Sequence, residues 1–224
     1  MSSVVPQSSR MDATPTEEDI TEILPNLFLG SEAGTRSFEM LHERGITHIL
    51  TLTGALALAT VELSSLGGPD ATTFVRMRIT VRDYPDEELF THFRATNAFI
   101  DAARTAGQGV LVHCHQGVSR SVTVVAAYLM ANYPPLHGAE VSAIIIFLRE
   151  RRSVVQPNWG FLEQLAIYRR CNCDLEANPT AVEAWRAGRN RRWQLVDRRK
   201  RVRKEGVWKI GCIRASRWVR SFFR

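Results

Sequence analysis

Five residues separate Cys114 from Arg120 in the run His113-Cys114-His115-Gln116-Gly117-Val118-Ser119-Arg120-Ser121. A cysteine and an arginine at this spacing suit attack on a phosphate ester. The thiolate is the nucleophile. The planar guanidinium grips two phosphate oxygens at once, which a lysine cannot do. Gly117 lets the backbone between them curl tightly. A loop that opens a helix aims several backbone N–H groups at one point, where the helix dipole also favours negative charge. A free cysteine titrates near ~8.5, and such a setting brings it to ~3.5–7.5, so a thiolate is expected at neutral pH. The same nest would hold a phosphate dianion and the charge that develops in the transition state. The bland reading is a buried thiol beside a surface cation.

The elements around this run have the order such a loop needs. Val110-Leu111-Val112 is short and wholly apolar, as expected of a buried central strand. Ser121 to Ala131 predicts a buried helix that stops before Pro134-Pro135. Upstream, Ile23-Leu24 and Leu27-Phe28-Leu29 flank Pro25-Asn26 as two strands about a turn. Ser37 to Arg44 predicts a short helix ended by Gly45, and Ile46 to Leu52 and Phe74 to Val81 predict strands. Residues 53–73, with Gly67-Gly68-Pro69, read as a variable loop with room for a short helix. Helical spacing runs from Glu87 to Ala106, from Ala139 to Arg151 and from Trp159 towards Arg170. The expected fold is α/β, a central mixed sheet flanked by helices, over residues 20–175. Residues 1–19 read as a disordered leader and 176–224 as a basic tail.

Together these residues resemble the protein tyrosine phosphatase superfamily and, more narrowly, its dual-specificity branch. Cys, five residues, then Arg-Ser is similar to the superfamily signature. Ile23-Leu24-Pro25-Asn26-Leu27-Phe28-Leu29-Gly30-Ser31 resembles the branch's opening strand pair, and Ala127-Tyr128-Leu129-Met130 resembles the helix after its loop. The run from Arg152 to Leu162 resembles its Pro-Asn-x-Gly-Phe segment at Pro157-Asn158-Trp159-Gly160-Phe161. The resemblance covers about residues 20–172. It implies a phospho-cysteine intermediate on Cys114, with Arg120 as the clamp. It also implies a phosphate-binding loop of His115, Gln116, Gly117, Val118, Ser119 and Arg120. Asp83 occupies the place of the family's general acid, with Asp86 as its rival. Ser121 matches the hydroxyl that hydrogen-bonds the sulfur, and His113 a buried residue that supports the loop. No cofactor and no metal is implied.

Composition narrows the classes. Hydrophobic residues at 45% and charged residues at 23% suit a globular core that needs neither disulfides nor metals. The first twenty residues are polar and acidic, and no run approaches the ~18 apolar residues of a spanning helix. The four cysteines, Cys114, Cys171, Cys173 and Cys212, are then expected as thiols in the cytoplasm, the nucleus or both. Cys171-x-Cys173 reads as two ordinary thiols at a helix end rather than a metal or redox pair. Three consecutive residues, His113 to His115, rarely converge on one ion.

The expected substrate is a phosphorylated protein. It carries phosphotyrosine and also phosphoserine or phosphothreonine. A phosphoinositide or RNA 5′-phosphatase would favour Lys or Arg inside the loop, and none lies between Cys114 and Arg120. A phospho-binding adaptor with little turnover is the reading from another class. The charge is split: residues 186–224 hold fifteen Lys and Arg against Asp197 and Glu205, a net +13, and the remainder carries −7, giving +6 overall. Written as a helix, Val207–Arg224 sets Trp208, Cys212, Val219 and Phe222 opposite a basic face. That pattern suits an anionic membrane, and Arg198-Arg199-Lys200-Arg201 equally suits nucleic acid or nuclear targeting.

Overall fold

Pro25-Asn26 reverses the chain between β1 (Ile20–Leu24) and β2 (Leu27–Gly30), with Asn26 in the left-handed region at φ 65°. The structure, a computed structural model, describes residue 16 and residues 19–54, 62–67 and 73–189, with backbone alone for 62–67 and 73. Most of the leader at 1–19, the basic segment from 190 and the helix expected at 207–224 lie outside the described residues. Ser37 caps α1 (Phe38–Glu43) by accepting a bond from the Met40 N–H at 3.2 Å, and Gly45 at φ 64° ends it. β3 (Ile46–Thr53), β4 (Glu62–Gly67) and β5 (Thr73–Thr80) follow. Then come α2 (Phe93–Thr105), β6 (Gly109–His113), α3 (Arg120–Asn132), α4 (Val141–Arg149) and α5 (Trp159–Arg170).

The six strands form one mixed sheet in the order β1-β2-β6-β3-β5-β4. β2, β6, β3 and β5 are mutually parallel, and β1 and β4 close the edges in antiparallel pairing. Every residue of β6 is buried, the reason its sequence is apolar without alternation. On one face α1 packs Leu41 among Phe28, Ile49, Phe74 and Leu111. The other face carries α2 and α3, with α4 and α5 packed on α3. α3 is buried on every side from Arg120 to Met130, so its valines stay helical through packing rather than propensity. A unit boundary falls between Ala177 and Asn178, and residues 179–189 of the second unit are helical. No helix among the described residues is long and apolar enough to cross a membrane.

Three sequence expectations are corrected. Residues 53–73 hold an edge strand, β4, paired with β5, and no helix is described there. α2 begins at Phe93 rather than Glu87: a 3-10 turn at Phe90–His92 precedes it, and Oε1 of Gln164 holds the Leu89 and Phe90 N–H groups at 2.8 and 2.9 Å. α4 is two residues shorter at each end than its apolar spacing implies. Because four strands run parallel, their C-terminal ends lie along one edge of the sheet. There the 114–120 loop meets Thr53-Gly54 at the end of β3 and Arg82-Asp83 after β5.

Candidate active site

His113 ends β6 and Arg120 starts α3, so the six residues between them must turn sharply. Gly117 supplies the turn at φ 68°, and a Cβ there would stand 2.5 Å from the Gly30 carbonyl oxygen. Cys114 lies at the floor, 3% exposed. Burial pushes its thiol up, but the Ser121 hydroxyl and N–H, the Arg120 charge and the Gly117 N–H outweigh that and bring it below the ordinary thiol value. The Ser121 Oγ donates to Cys114 Sγ at 3.2 Å. His113 donates or accepts through Nε2 with Thr51 Oγ1 at 2.8 Å, and burial holds its imidazole down at about 4, so it is neutral.

Arg120 is 8% exposed and its Nη1 points at the Val81 and Leu52 carbonyl oxygens at 3.3 and 3.5 Å. The strand ends of β3 and β5 thus aim the guanidinium. Its Nε is buried with no hydrogen-bond acceptor and lies 3.8 Å from Asp83 Oδ2. Asp83 Oδ1 accepts from Ser119 Oγ and from Asn158 Nδ2, both at 2.7 Å. Asp83, Arg120 and Cys114 line one cleft of about 640 Å³; Asp86 is not among its lining residues. His115 is largely exposed and pairs through Nδ1 with Glu32 at 2.9 Å, Gln116 is exposed, Val118 is half-buried and Ser119 is buried. The sequence-predicted Asp83, Cys114, His115 and Arg120 therefore line one cleft together, while Gln116 is exposed. Among the described residues no group of His, Cys, Asp and Glu is arranged to hold a metal ion.

Residues 27–171 match the family described as dual specificity phosphatase, catalytic domain. A dual specificity protein phosphatase 1B from Arabidopsis thaliana is 40% identical over 148 residues, which is 66% of this chain and 80% of that protein. A Slingshot homolog protein phosphatase from Xenopus laevis is 38% identical over 148 residues, 66% of this chain but 19% of its own length. The crystal structure of human DUSP28 superposes with a TM-score of 0.59 at 30% identity, covering 72% of this chain and all of that one.

The chain belongs to the dual-specificity phosphatase family.

As a member of it, the chain is a protein phosphatase whose substrates are phosphorylated proteins. Four residues outside the signature complete this phosphatase's site, and sequence reasoning assigned them no role. Arg152, 8% exposed, donates from Nε to the Gly117 carbonyl at 3.1 Å and from Nη2 to the Gln116 carbonyl at 3.4 Å. Holding those carbonyls outward turns the peptide N–H groups of the loop inward. Asn158 caps α5 through Oδ1, accepting from the Phe161 N–H at 3.0 Å, while its Nδ2 holds Asp83. Gly160 lies under the Pro85 carbonyl oxygen, which a Cβ would approach to 1.8 Å. Gln164 is fully buried and ties the Glu87 carbonyl and the Leu89 and Phe90 N–H groups to α5. Pro157-Asn158 signals a helix cap in sequence, but nothing local announces its partner at Asp83. Cys173 contrasts with Cys114: burial pushes its thiol up to about 11.

Proposed function

We propose that this phosphatase works through a phospho-cysteine on Cys114 and accepts phosphotyrosine as well as phosphoserine and phosphothreonine. The Cys114 thiolate attacks phosphorus, an S–P bond forms and the P–O bond to the side chain breaks. Asp83 gives its proton to the leaving oxygen. Oδ1 is engaged by two donors, which leaves Oδ2 to carry that proton. Water then attacks phosphorus, Asp83 takes its proton, and the thiolate leaves with the Ser121 hydroxyl still hydrogen-bonded to the sulfur. Arg120 grips the equatorial oxygens throughout.

One observation carries this reading: Arg120 lines the cleft that also holds Cys114, and its buried Nε donor has no hydrogen-bond acceptor. A buried donor without a partner costs about 1–3 kcal/mol, and a phosphate oxygen would satisfy it. The absence of Lys and Arg inside the loop favours protein substrates over phosphoinositides or RNA 5′-ends. The engaged acid and lowered thiol favour turnover over the adaptor reading. Cys114→Ser should abolish hydrolysis of p-nitrophenyl phosphate while retaining phosphopeptide binding; hydrolysis near the wild-type rate would remove the covalent mechanism.

The net +13 of residues 186–224 supports a second role, contact with an anionic surface, either membrane lipid or nucleic acid. Cytoplasmic or nuclear residence fits that charge and the thiol chemistry.

A further inference from the structure

β5 carries two arginines on one sheet face beside the catalytic residues. The register aligns Arg78 with Thr51 of β3, and Thr51 with His113 of β6, the residue before Cys114. Arg76 lies one pleat repeat away on the same face, and both line the cleft that holds Cys114. With histidines neutral, the charged residues of that cleft are Arg76, Arg78, Arg82 and Arg120 against Glu32 and Asp83, an excess of two positive charges. Two of these six are committed elsewhere: Arg82 to Glu87 at 2.8 Å and Glu32 to His115. Arg120 serves the scissile phosphate in the reading above.

Arg76 and Arg78 stand as a pair of like charges about 7 Å apart along the strand. Arg76 is half-buried, its guanidinium stands over the Phe74 ring at 5.3 Å, and its Nε is buried with no hydrogen-bond acceptor. Burial and the neighbouring Arg78 charge both pull its pKa down, the strain that a bound anion relieves. β4 sets Glu62 at the register position opposite Arg78.

We infer that Arg76 and Arg78 form a subsite for a second anionic group, phosphate or carboxylate, on the phosphorylated peptide whose scissile phosphate enters the Cys114 loop. The inference rests on the reading of Cys114 and Arg120 as the catalytic pair. Two strand spacings separate β5 from β6, about 10 Å. An extended peptide rises about 3.3 Å per residue, so the second anion falls roughly two to four residues from the scissile one. This makes the enzyme selective for acidic or doubly phosphorylated segments.

The test compares kcat/KM of the full chain on phosphotyrosine peptides at low ionic strength. One peptide has neutral flanks; the others carry glutamate or phosphoserine two, three or four residues away on either side. One acidic position should raise kcat/KM about tenfold, the scale of one charge-assisted hydrogen bond. Arg78→Gln, at an exposed position, should cut that ratio to about threefold, and Arg76→Gln/Arg78→Gln should bring it near one. Arg94→Gln, an exposed arginine paired with Glu176 on the helical side, should keep the full ratio. A wild-type ratio near one, or a ratio that survives the double change, overturns the subsite. So does a short-chain phosphatidylinositol bisphosphate whose rate, rather than the peptide's, depends on these arginines. Failure of the catalytic reading looks different: the neutral peptide is then not hydrolysed, or Cys114→Ser hydrolyses it too.

Discussion

The 114–120 loop is formed at one strand–helix junction contiguous in sequence, whereas the Asp83 loop is held by a helix far along the chain. Ser121 reaches Cys114 across seven residues within that junction, while Arg152 clamps the loop from outside and the Leu52 and Val81 carbonyls aim Arg120. Asn158 reaches Asp83 across 75 residues, and Gln164 reaches Leu89 across the same distance. The setting of the Cys114 sulfur is thus largely built into one contiguous strand–helix junction. The proton-donating side is a tertiary property of α5. Damage to the first should remove phosphate chemistry outright, while damage to the second should misplace the acid and leave the thiolate competent.

The largest expected effect lies on the local side. Arg120→Lys should lower kcat about 100- to 1,000-fold in steady-state assays, because a point charge cannot reproduce the planar grip. Retention of most activity would show that the clamp is not Arg120.

On the tertiary side, Gly160→Ala pushes a methyl against the Pro85 carbonyl, and neither backbone can yield without moving the loop. Thermal denaturation should report a loss of about 1–3 kcal/mol, and kcat on phosphopeptides should fall about 10- to 100-fold. An unchanged melting temperature and rate would mean that α5 does not set the acid loop.

The smallest effect should come from Asn158→Ala, and it should depend on the leaving group. Loss of the bond to Asp83 should slow a phosphotyrosine peptide about tenfold and p-nitrophenyl phosphate less than about threefold, since a good leaving group needs little protonation. Asn158→Asp separates the two jobs of this residue. It retains the α5 cap, worth about 1 kcal/mol, yet sets a carboxylate against Asp83, so stability should persist while peptide turnover falls. Equal slowing of both substrates would point to general disruption instead.

The same division explains what could be read from the chain. The 114–120 loop, α5 from Trp159 and the turn at Pro25-Asn26 are written in short runs whose apolar pattern or turn residues act locally. β4 was not legible, because Glu62-Leu63-Ser64-Ser65-Leu66-Gly67 lacks clean alternation and gains its strand character from pairing with β5. The start of α2 is illegible for a related reason: Leu89 and Phe90 are apolar at helical spacing, but they lie in a segment that Gln164, far along the chain, holds outside the helix. Asp83 lines the cleft with Cys114 and Arg120 and Asp86 does not, a placement no local pattern announces, and Arg152, Asn158, Gly160 and Gln164 act through partners far along the chain.

Transfer of phosphate to the Cys114 sulfur is tested most directly by capture of that adduct. Asp83→Asn keeps the nucleophile and clamp but slows the water step, so the intermediate should accumulate during turnover of p-nitrophenyl phosphate. Rapid denaturation followed by peptide mass spectrometry should find one phosphoryl group on the peptide containing Cys114, and none after Cys114→Ser. Turnover without a phosphorylated Cys114 peptide, or a phosphoryl group on any other residue, would contradict the account.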